Sequence, residues 1–88
     1  MCTTITETVH LDGSAKGARG WFRVDRANLG YDHPFHADLD HALTLDFVDE
    51  TGLGDRVAVE IPLDAARRLL VALGAAVERA EAYESAAR

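Results

Sequence analysis

The hydrophobic period of this chain changes once, at Pro62. Up to Ile61, apolar residues recur at alternate positions, as in Leu43, Leu45, Phe47 and then Val57, Val59, Ile61. Beyond Pro62 they recur at three and four, through Ala66, Leu69, Leu70, Leu73, Val77 and Ala80. Alternation puts every second side chain on one face of a strand, and a spacing near 3.6 puts a stripe along a helix. The chain is therefore expected to be strands first and one helix last. That is an α+β fold with a four-stranded, mostly antiparallel sheet and one C-terminal helix packed on one face. Its 88 residues are read as a single domain, 1–88.

The strands are legible to different degrees. Thr3 to Leu11 alternates cleanly, with Ile5, Val9 and Leu11 inward and the threonines outward. Gly13, Ser14, Gly17 and Gly20 mark Asp12 to Gly20 as a loop. Trp21 to Leu29 reads as a second strand, with a bulge accounting for the change of phase between Phe22/Val24 and Ala27/Leu29. Residues 31–40 form a loop bent at Pro34, and His41 to Val48 is the third strand. Asp49 to Asp55 turns the chain into Arg56 to Ile61. Asp64 is placed to cap a helix running from about Ala65 to beyond Tyr83. Gly74 fits a close approach to the sheet. A helix of roughly 30 Å should overhang strands of roughly 17–20 Å.

Composition narrows the function. The net charge is −6, and no Lys or Arg occurs between Ala27 and Asp55, where Asp32, Asp38, Asp40, Asp46, Asp49, Glu50 and Asp55 lie. Such a stretch repels phosphate backbones, so nucleic acid is not expected as a partner, and it attracts cations or a cationic ligand. The plainer reading is a solvated acidic surface. No apolar run approaches a membrane span and no signal peptide is visible, so a soluble, cytoplasmic protein is expected. Cys2 is the single cysteine, and no disulfide can support so small a core. A homodimer is expected for that reason.

Tyr31 to His41 holds three of the four histidines. His33, His36 and His41 are the types and spacing from which a zinc, copper or iron site can be built, with Asp32, Asp38 or Asp40 as a further ligand or as an orienting partner. The plainer alternative makes His33 and His36 loop residues bonded to nearby carboxylates and His41 an inward histidine. A metal-free reading pairs His33 or His36 with Asp32 or Asp38 as acid and base, with Tyr31 as a proton donor and Trp21, Phe22 and Phe35 walling a flat ligand. Cys2 is a third candidate, as an N-terminal nucleophile if Met1 is removed. Strand phase places it with His10, on the face opposite His41.

The segments Met1-Cys2-Thr3-Thr4-Ile5-Thr6-Glu7, Gly20-Trp21-Phe22 and Tyr31-Asp32-His33-Pro34-Phe35-His36-Ala37 resemble an uncharacterised family of short actinobacterial proteins. That resemblance implies a small free-standing protein of a kind often found beside natural-product genes, and it implies no catalytic residue. The expectations are then three. The protein is a metal- or ligand-binding accessory protein with its site on the 31–41 loop, a cofactor-free acid–base enzyme of cyclase or isomerase type, or a structural dimerisation module.

Overall fold

The computed structural model describes residues 5–51 and 54–87. Four strands, β1 (Ile5–Gly17), β2 (Gly20–Asp32), β3 (Ala42–Val48) and β4 (Arg56–Ile61), form one antiparallel sheet in the order β1-β2-β3-β4, and α1 (Leu63–Ala87) follows. The protein is thus α+β, as the change of period at Pro62 predicts. Tyr31, Leu43 and Ile61 stand in one cross-strand row, Leu29, Leu45 and Val59 in the next, and Ala27, Phe47 and Val57 in a third. These rows make one face apolar. Asn28, Gly30, Thr44, Asp46, Ala58 and Glu60 occupy the intervening positions and make the other face polar.

Three features differ from expectation. The glycine-rich segment is strand rather than loop: β1 and β2 stay paired as far as Gly17 and Gly20, and only Ala18 and Arg19 form the turn. Gly20 takes φ +109°, which L side chains rarely adopt. Gly17 is bare for a packing reason, since a Cβ there would lie 3.1 Å from the Phe22 ring and 3.8 Å from the Arg56 carbonyl oxygen. The hairpin tip therefore curls over to reach β4.

The bulge is on β1, between His10 and Gly13, and not within β2. Val24 and Ala27, three positions apart on β2, are both buried. The third difference is at the helix. α1 starts at Leu63, its first turn closed by the Ala66 N–H on the Pro62 carbonyl at 3.0 Å. Asp64 lies inside that turn and accepts from Arg68 at 3.2 Å.

α1 touches β3, with Ala65 and Ala66 half-buried, but no residue of α1 is buried. The apolar stripe is present and does not lie across its own sheet. The cause is the link: Pro62 alone separates β4 from α1, and folding a helix back over the strand before it takes a loop of about 2–6 residues. Among the described residues the buried apolar core is Val24, Ala27 and Ala42, and no helix is long and apolar enough to cross a membrane.

Candidate functional site: the 33–41 loop

Asp32 pairs with Ala42 across β2 and β3, so residues 33–41 close this hairpin as one loop. Pro34 stiffens it, and its backbone donors need partners that no strand supplies. They find one carboxylate. The N–H groups of His36 and Ala37 donate to Glu60 Oε1, both at 3.0 Å, and that of Phe35 donates to Oε2. The Ala37 and Phe35 donors above all, with the His36 N–H and imidazole, hold the Glu60 carboxyl below its ordinary value of 4.5, against a smaller opposing effect of desolvation. Within the loop, the Leu39 N–H donates to the Ala37 carbonyl at 3.0 Å.

The other end of the loop is aromatic. His41 stacks on Tyr31 with centroids 5.4 Å apart and on His33 at 4.6 Å, the planes inclined by 17° and 29°. His33 Nδ1 lies 2.8 Å from the Asp40 carbonyl oxygen. A carbonyl only accepts, so Nδ1 carries the hydrogen and Nε2 of the neutral ring carries the lone pair. The His33 N–H donates to Asp32 Oδ1 at 2.7 Å. The loop thus joins the two faces: Tyr31, on which His41 stacks, belongs to the apolar phase, and Glu60 to the polar one.

Between the loop and the polar face lies a hollow of about 320 Å³, lined among others by Asn28, Thr44, Ala58, Asp32, His33 and Phe35. Its floor is kept low by Gly30, where a Cβ would meet Thr44 Oγ1 at 3.0 Å. That hydroxyl donates to the Gly30 carbonyl at 3.3 Å. The Phe35 ring stands wholly exposed at the mouth.

Charge is not spread evenly along the acidic stretch. Arg19 pairs with Asp55, Arg26 with Glu50 and Arg56 with Asp46. Among the described residues no Lys or Arg pairs with Asp38 or Asp40, which leaves the loop as the negative end of the sheet.

Of the sequence candidates, Asp32, His33 and His41 are brought together, and His36 is held apart from the stack by its backbone bond to Glu60. Among the described residues no three His, Cys, Asp or Glu side chains converge as a metal-holding group. Imidazole lone pairs lie in the ring plane, so two stacked rings do not aim at a common point, and a shared ion requires one ring to turn. Cys2 lies outside the described residues. Trp21 is exposed and distant in register from the loop, so it does not wall this hollow. Glu60 was not among the candidates. Alternation gives its face, but only the fold shows that the loop's donors land on it.

The fold and the loop define a small α+β sheet protein with a histidine-bearing hairpin loop fastened across one end of the sheet. The chain belongs to the family of unknown function DUF6295, which matches residues 1–86. An uncharacterised family covering nearly the whole chain is what the sequence segments suggest. No curated protein and no solved structure matches it.

Proposed function

We propose that this chain is a small-ligand-binding protein whose site is the hollow between the 33–41 loop and the polar face of the sheet, and that its ligand is a small organic cation. The supporting observation is the fastened loop: three backbone donors on Glu60 hold Phe35 over the hollow, with its ring in solvent. The hollow is lined by the carboxylates of Asp32, Asp46 and Glu60 against one guanidinium, that of Arg56, so negative charge is in excess beside the exposed ring, and ammonium and guanidinium groups favour a π face with negative charge beside it. The ordered loop keeps the entropic cost of binding low. Titration of isotope-labelled protein with primary amines, quaternary ammonium ions and guanidines tests this reading. Saturable shifts of the 35–37 amides and the Asn28 side chain are expected. Amines that leave those signals unmoved at millimolar concentration overturn it.

A second reading takes a transition metal at His33, His36 and His41 with Asp32. It is favoured by the tautomer of His33, whose Nε2 lone pair is the form a metal ligand needs. This site requires the His33–His41 stack to open. Zinc, copper or iron(II) should then shift the ring signals of all three histidines together, and a response confined to one of them rejects a shared ion.

A further inference from the structure

Two apolar surfaces of this chain are open at once. On α1, Leu69, Leu70, Leu73 and Val77 are between 47% and 59% exposed. On the sheet, Ile5, Val9, Leu11 and Val59 of the apolar face are between 37% and 53% exposed. Beneath the curled tip of the β1–β2 hairpin this face sinks into a hollow of about 460 Å³, walled by Leu11, Val24, Phe47 and Val57.

The molecule is also too large for its mass. A folded chain of 9.5 kDa exposes about 5,000 Å², whereas this one exposes 6857 Å². A chain of this length has a radius of gyration of about 12 Å when compact, and here it is 15.1 Å.

We propose that two copies of this chain interlock, α1 of each lying on the apolar sheet face of the other. The chain carries one apolar helix and one apolar sheet face, and the single residue between β4 and α1 keeps it from joining them itself. A second copy supplies each surface with the partner it lacks, and a two-fold arrangement closes after two chains. The area fits. The excess of about 1,800 Å² per chain becomes about 3,600 Å² for two, inside the range of obligate homodimers at about 2,000–5,000 Å². The width of the stripe also fits. Leu69 beside Leu70 broadens it beyond the two-position seam of a helix pair, to the width a helix turns toward a sheet. Pairing of helices alone would leave the sheet face bare.

The test uses the whole chain with a photo-crosslinking side chain in place of Val77, alongside the unmodified protein. Light scattering during gel filtration should return twice the 9.5 kDa chain mass for both. Irradiation should give a covalent dimer on a denaturing gel, its links mapping to sheet residues such as Val9 or Val59. A single-chain mass overturns the proposal. So do links within one chain, and so do links that join helix to helix.

Discussion

Phe35, His36 and Ala37 present three consecutive backbone donors to Glu60, so the position of the loop depends on the charge state of one side chain. A carboxyl whose value is lowered on folding stabilises the fold fully above its unfolded value and loses that contribution as pH falls through its folded value. The loop should therefore be fastened at neutral pH and release below the ordinary carboxyl value of 4.5. Amide signals of residues 35–37 should move together in that acid range while those of β1 stay put. Glu60→Gln should reproduce the released state at neutral pH, seen as faster hydrogen exchange at the same three amides, and unchanged exchange there would show that the loop is held by something else. Gly30 is a second decisive position. A Cβ would lie 3.0 Å from Thr44 Oγ1 and 3.3 Å from the Ile5 carbonyl, and the carbonyl cannot yield without moving β1. Gly30→Ala should destabilise by about 1–3 kcal/mol in urea unfolding, the usual cost of overpacking. Alternation identified the face of Glu60 and of Gly30. It could not identify their contacts, because these come from segments 14 to 25 residues distant along the chain.

At the scale of elements, β3, β4 and the existence of α1 were legible because alternation and helical spacing are local properties of side chains. The β1–β2 hairpin is longer than its sequence suggests. Gly13 and Gly17 look like loop residues, yet here they are strand positions, Gly17 where the hairpin tip approaches β4, and glycine in sequence does not separate the two uses. The packing of α1 was not legible either. A stripe says that a helix will bury one side, and the length of the link decides against what. Gly74 illustrates the difference. Its expected close approach to the sheet is absent, and a Cβ there would meet nothing within 4 Å. At about 100° per residue it sits at the edge of the stripe rather than its centre. Gly74→Ala should consequently stabilise the helix by about 0.5–1 kcal/mol, the conformational gain of alanine over glycine. A lowered melting temperature would instead place Gly74 in a tight contact.

At the scale of the molecule, stability and association become one quantity if α1 is covered by a second copy. Unfolding of an obligate dimer releases two chains, so each tenfold dilution lowers its apparent stability by about 1.4 kcal/mol. For two chains of 88 residues the melting temperature should fall by about 3–6 °C per tenfold dilution. A chain folding alone would show no such dependence. Leu73 separates the two cases more sharply. It is 58% exposed on the single chain, where an aspartate would change stability by no more than about 0.5 kcal/mol, as at other open surface positions. Beneath a partner's sheet the same carboxylate would be stripped of water with no cation beside it, at a cost of several kcal/mol. Leu73→Asp should therefore lower the melting temperature by roughly 10 °C or more at high protein concentration and abolish the dependence on dilution. A variant that melts like the parent at every concentration would mean that the helix stripe faces water in the working molecule.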